Sequence, residues 1–284
     1  MTPLENSIGF LAPYEFSPTV LAVCVSAAWL YVRGSASSSE QERFRALLFW
    51  SGLVLMYAML QTRYDFYAQH MFFLHRLQHL VLHHLAPFLI ALSAPGERLL
   101  AGLPAPIRHH LIEPLLGCRL LRGVTTGIQQ PLVASILFVG LIYFWLIPDV
   151  HFIAMLNLSL YNAMNWGMAV DGLLFWWMVF NMRSDDGNAD RHFGGRILLL
   201  FLVMFPQIVI GAHIALSNQD LFTVYAVCGR AWPLSEHVDQ QIGGLITWIH
   251  APMMSIAGAL VLFRRWMRQR EPSIAESEAC RDLS

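Results

Sequence analysis

Along the chain, apolar residues gather into seven long runs, at 17–32, 46–62, 67–94, 132–147, 152–182, 195–216 and 242–263, separated by stretches where Arg, Asp, Glu, Gly and Pro collect. Each run holds roughly 16 to 30 residues, and at about 1.5 Å of rise per residue a helix of that length crosses the hydrocarbon core of a bilayer. Inside lipid the backbone N–H and C=O groups must bond within their own segment, which a helix allows and an open strand does not. The pattern therefore predicts an all-α, polytopic membrane protein with seven transmembrane helices. Residues 1–270 read as one membrane domain and 271–284 as a polar, disordered tail. The link 95–131 is too apolar for a disordered linker, and 107–122 within it predicts a short amphipathic helix lying on the interface.

Composition supports this placement: 56% of the residues are hydrophobic, 13% are charged and the mean hydropathy is +0.50. Charge then orients the bundle. All 18 basic residues are Arg, and 15 of them (33, 43, 45, 98, 108, 119, 122, 183, 191, 196, 264, 265, 268, 270, 281) fall after runs one, three, five and seven. Only Arg63 and Arg230 lie on the other side, and Arg76 sits within run three. Cytoplasmic loops retain basic residues, so the N-terminus is predicted outside and the C-terminus in the cytoplasm. The stretch before Ser17 has Glu5 and Glu15 but no basic residue, unlike the n-region of a cleaved leader. A net charge of -1 and the lack of a basic, aromatic-laced patch point away from nucleic acid. Cys24, Cys118, Cys228 and Cys280 form no CxxC pair, so neither a disulfide framework nor a thiolate metal site is implied.

The chemistry concentrates in run three, which carries five of the twelve His. His75, His79 and His83 recur every four residues and so fall within about 80° on one helix face at roughly 100° per residue. An i, i+4 pair of imidazoles can reach one metal ion, and imidazole suits copper, zinc, iron and nickel. The structural alternative is polar bonding between helices, with Arg76 paired to a carboxylate. Three more His stand in or near the outer half: His151, His213 and His250. A site joining the last two to His75 and His79 is compatible with helix rise. Met253 and Met254 follow as soft donors or plain packing. His70, His84, His109, His110, His192 and His237 read as structural or solvated. Asp171 lies well inside run five and needs a partner, with Arg76 or a His the candidates. Asp239 and Gln240 open the last run. There Asp239 can cap the helix while Gly243 and Gly244 permit close approach.

The run HRLQHLVLHHLAPFLIALSAP resembles the HMxQHM...APPLLxLGxP signature of the multi-span CtaG family of cytochrome c oxidase assembly factors. His75, Gln78, His79, Ala86, Pro87 and Pro95 fall on it. GLLFWW (172–177) is similar to the family's GLLFWWP, and DQQIGGLITW (239–248) to its DQQLGGLIMW. Leu146, Tyr161 and Asn165 stand where the family often carries His, and Arg76 where it has Met. The resemblance implies a multi-pass protein of the bacterial cytoplasmic membrane, not itself an enzyme, that matures a haem-copper oxidase at a copper centre. Its implied partners are oxidase subunits, the bilayer and a copper chaperone. The rival readings are a bis-His haem b electron carrier and a copper transporter.

Overall fold

The computed structural model describes the backbone of residues 15–34, 39–181 and 189–281, and the side chains of these except 189–192 and 271–281. Every regular element among the described residues is helical. Helix α1 (Pro18–Arg33) starts at Ser17, whose hydroxyl accepts from Val20 N at 3.5 Å, with Pro18 in the first turn where its missing N–H costs nothing. Helix α2 (Glu40–Gln61) starts at Ser39, and Glu40 and Glu42 lie at its positive end. Short α3 (Tyr64–His70) leads to α4 (Phe72–Ser93), which bends by 72° into α5 (Gly96–Gly102).

The interfacial link then forms helical turns at Arg108–Ile112, α6 (Glu113–Gly117) and α7 (Arg119–Ile128). The expected amphipathic helix over 107–122 is thus broken at Cys118, whose backbone is extended, and its strongest amphipathic part shifts to α7. A 68° bend joins α7 to α8 (Pro131–Trp145). Next come α9 (Pro148–Leu156), α10 (Leu158–Phe180), α11 (Ala189–Leu216) and short α12 (Val224–Cys228). The last helix, α13, runs over Glu236–Arg270 and continues in backbone to Arg281.

Three helices among the described residues are long and apolar enough to cross a membrane: α2, the Phe193–Leu216 part of α11, and α13; counting the bent pairs α4/α5 and α7/α8 gives five. The other two runs fall short for visible reasons. Helix α1 has 16 residues. Helix α10 is 23 residues long, but Asn162, Asn165, Asp171 and its aromatic residues dilute its apolar character.

Two runs are interrupted. Met71 is extended and separates α3 from α4, while Asn157 is extended and separates α9 from α10, its side chain accepting from Leu160 N at 3.1 Å. Neither position carries Pro or Gly, so the pattern of apolar residues runs straight through both.

Helix α4 is the axis of the bundle. Its first half packs on the start of α13, its second half on α2 and α10, and α11 lies against α13. Around its lower half Phe138, Phe175, Trp176 and Phe180 form an aromatic core, with Phe138 and Phe175 stacked at 3.9 Å. A Cβ on Gly172 would run into the main chain of His83, so α10 reaches α4 at backbone distance only because residue 172 has no side chain. Gly243 plays the same part beneath the Phe72 ring and Arg76.

Candidate functional site: a buried imidazole cluster

The inward face of α4 carries His75, Arg76, His79 and His83, all buried. The helix widens to i→i+5 bonding over Leu80–Leu85, as α13 does over Ile246–His250, and the two widened turns meet. Such insertions are common at functional sites because they re-aim side chains that regular spacing would turn away. Here they bring His84 inside along with His83.

The upper part of the cluster is built around His75. Its ring lies 4.3 Å from that of His79, 5.2 Å from that of His151 at 89°, and 5.9 Å from that of Tyr161. Neither ring nitrogen of His75 makes a hydrogen bond of good geometry, although the residue is fully buried; the Ala68 carbonyl interacts with the ring more weakly. Its neighbours are committed. His151 Nδ1 donates to Trp145 O at 3.0 Å, so its Nε2 accepts from the Tyr225 hydroxyl, also at 3.0 Å. His79 Nε2 donates to Asn165 Oδ1 at 3.1 Å, and its Nδ1 faces the Arg76 guanidinium at 3.3 Å. Tyr161 donates to Asp65 at 2.6 Å, and Asp65 also accepts from Gln78 and Gln69. Tyr161 and Asn165 therefore do structural work in the shell of the cluster.

The lower part is arranged around Arg76, whose Nε donates to Thr247 Oγ1 at 3.0 Å. Beside it lies a cavity of about 10 Å³, lined by Arg76, His79, His83, His84 and Thr247 among others, enough for one water. His83 stacks on Phe138 and bonds Asp171 at 3.0 Å. Of the two partners open to Asp171, the structure thus selects a His. Among the described residues Arg76 forms no ion pair with a carboxylate, contrary to the structural reading of that Arg.

Not every expected residue joins the cluster. His213 and His250 are exposed on the outside of the bundle, because Ile214 and Ala215 on α11, and Thr247 and Ala251 on α13, take the inward positions. Met253 is exposed as well, and Met254 packs against the aromatic core. Asp239 does not cap its own helix; Ser235 does that, accepting from Val238 N at 3.4 Å. The Asp239 carboxylate reaches across to the start of α4, accepting from Phe72 N at 3.0 Å and Phe73 N at 2.8 Å, and pairs with Arg230 at 2.6 Å. Gln240 ties the loop between α11 and α13 by bonding Leu221 N, Ile214 O and Gln219 O. His70 bonds Phe66 O, His237 bonds Gln241, and His109 pairs with Glu113. Sequence reasoning missed Asp65, Tyr225 and Thr247, which no spacing connects to the His run.

As a metal centre the donor set is partial. No group of three or more His, Cys, Asp or Glu among the described residues is arranged to hold an ion together. One imidazole lacks a well-formed hydrogen bond on either nitrogen, and two more stand against it with their nitrogens engaged.

The family model of the cytochrome c oxidase caa3 assembly factor matches residues 28–269. The chain belongs to that family. The matched region takes in the whole imidazole cluster and its supporting shell. Among curated proteins, this caa3 assembly factor family member is 29% identical over 236 residues to uncharacterised proteins of Mycobacterium bovis and Mycobacterium tuberculosis, covering 76% of this chain and 34% of each relative. It is 26% identical over 283 residues to an uncharacterised protein of Mycobacterium leprae, covering 93% and 41% respectively. The chain thus spans about a third to two-fifths of the length of these relatives. No solved structure matches.

Proposed function

We propose that this protein assists assembly of a haem-copper oxidase by handling copper at His75, with His79 and His151 as the imidazoles that complete its surroundings, and that it does so without catalytic turnover. The observation that carries this reading is a fully buried His75 whose ring nitrogens lack a well-formed hydrogen bond. Neutral imidazole has one N–H and one lone pair, and burying the lone pair without a donor is unfavourable unless a ligand such as a metal ion uses it. Copper accepts imidazole nitrogen. The bonds of His151 to Tyr225 and of His79 to Asn165 then orient the rings beside His75, as outer partners do for metal-binding His. A haem would need a slot of porphyrin size, and the cavity bordering His79 has about 10 Å³.

The proposed seven spans are α1, α2, α4, α8, α10, α11 and α13, of which α4 and α8 qualify by length and composition only together with the bent helices beside them. The Arg distribution then puts the N-terminus outside, the C-terminus in the cytoplasm of a bacterial cell, and the His75 cluster in the outer half, facing the compartment from which an oxidase copper centre would be loaded.

Copper binding by purified protein made without a His tag tests the reading. Wild type and His109→Ala should bind copper stoichiometrically, while His75→Ala should lose it and His79→Ala should be weakened. Equal copper retention in His75→Ala, His79→Ala and the double variant would make the cluster purely structural.

A further inference from the structure

The segment between the two bent helices is unlike the rest of the molecule. Leu111, Leu115, Leu116, Leu120, Leu121 and Val124 are all exposed, Leu120 at 77%. Helix α7 packs mainly on α6 and on the first turns of α8, and its end is pinned to the bundle by Gln129, which donates to Leu174 O of α10 at 3.1 Å. Along α7, Leu120, Leu121, Val124 and Ile128 share one face while Arg119, Arg122 and Thr126 share another. A groove of about 550 Å³ lies along the polar side, lined by Leu116, Leu121, Arg122, Thr125 and Thr126.

Two features select the occupant. The 68° bend between α7 and α8 lays α7 close to the membrane plane when α8 runs along the normal, which seats its apolar face in the acyl boundary. Glu113 is already shared by Arg108 and His109, whereas Arg119 and Arg122 have no carboxylate partner among the described residues, Arg122 donating to Leu116 O at 3.5 Å. Two guanidinium groups without a carboxylate at headgroup depth, next to the Thr126 hydroxyl and two Leu side chains, match a phosphodiester joined to an acyl chain. We propose that the groove between α6 and α7 binds an anionic phospholipid, its phosphate on Arg122 and Thr126, and its acyl chain over Leu116 and Leu121. The lipid would fix the angle of α7 against α8 and so brace the side of the bundle that carries α10 and Asp171.

Cys118, exposed at the turn into α7, offers a reporter position. Backbone N–H groups of Leu121 and Leu120 lower its thiol below the usual range, which favours labelling. The full chain with Cys24, Cys228 and Cys280 replaced by Ser is labelled there and placed in nanodiscs containing the same fraction of brominated phosphatidylglycerol or brominated phosphatidylcholine. The anionic lipid should quench the label preferentially, by about fivefold in apparent affinity for each Arg engaged. Arg119→Gln with Arg122→Gln should abolish the preference without changing helicity, and inorganic phosphate should not compete. Equal quenching by the two lipids, a preference that survives the double substitution, or displacement by free phosphate would each overturn the proposal. So would a label that neither lipid quenches and that aqueous iodide reaches freely, the result expected of a surface reserved for a protein partner.

Discussion

His75 and His151 stand 5.2 Å apart, and their surroundings have opposite consequences for stability. A buried polar group without a well-formed hydrogen bond costs about 1–3 kcal/mol, so His75→Leu removes a penalty while filling similar space. His151→Leu strands the Trp145 carbonyl and the Tyr225 hydroxyl, at a cost of about 1–3 kcal/mol. Thermal melts of metal-free protein should therefore show His75→Leu at or above wild type and His151→Leu clearly below it. If the two fall together, His75 is a packing residue and its poorly bonded nitrogens mean nothing for binding. Stability set aside at one position in this way is what a binding site looks like before its ligand arrives. The i, i+4 spacing made His75, His79 and His83 legible in the sequence, because partners four residues apart meet on any helix. Asp65 and Tyr225 were not legible. Their partners Tyr161 and His151 lie 96 and 74 positions away, and only packing of the bundle joins them.

The same contrast governs the elements. Each of the seven apolar runs falls on helix over its described residues, although only three helices there, or five counting the bent pairs, are long and apolar enough to cross a membrane. The breaks at Met71 and Asn157 escaped because an interruption needs only a substitute for the lost backbone bonds. Asn157 supplies its own, a cap legible in hindsight. At Met71 the substitute comes from Asp239, 167 residues away, which satisfies the free N–H groups of Phe72 and Phe73 and is itself neutralised by Arg230. Arg230→Ala should therefore act on α4 although it lies in the loop before α13: it leaves a buried carboxylate uncompensated, a loss of about 3 kcal/mol, whereas Asp239→Asn with Arg230→Ala should recover part of it. Melting temperatures that are additive across this cycle would remove the coupling. Gly172 makes a second case at this scale. Gly172→Ala puts a methyl group into the His83 main chain, so α10 must withdraw and the His83–Asp171 bond must lengthen or break. Loss of folded yield with Gly172→Ala, against little change with Gly140→Ala where a Cβ meets nothing, is the expected result.

Across the whole molecule, polarity is segregated in two ways that together define what it can do in a cell. Basic residues lie at one end of the runs, and the buried imidazole cluster lies on α4 toward the other end, where Asp239 and Gln240 hold the loop between α11 and α13 through Arg230 and Leu221. A compartment reporter fused at Ser284 should report cytoplasm and one inserted near Asn218 the outside; the reverse pattern would turn the cluster toward the wrong compartment and remove the loading role. With the orientation fixed, the function itself can be read from copper limitation. If His75 holds copper for an oxidase centre, cells lacking this gene should still make oxidase subunits but with less metal in them, because the missing step is insertion. Raising external copper should restore activity at least partly, since mass action replaces a delivery step once free metal exceeds the dissociation constant of the receiving site. A chromosomal His75→Leu allele, whose product is predicted to fold at least as well as wild type, should reproduce the deletion. That last comparison separates lost chemistry from lost protein, which deletion alone cannot do. Normal oxidase activity and copper content in the His75→Leu strain under copper limitation, with the variant protein present at wild-type level, would leave the family's assembly role intact but take copper handling away from this cluster.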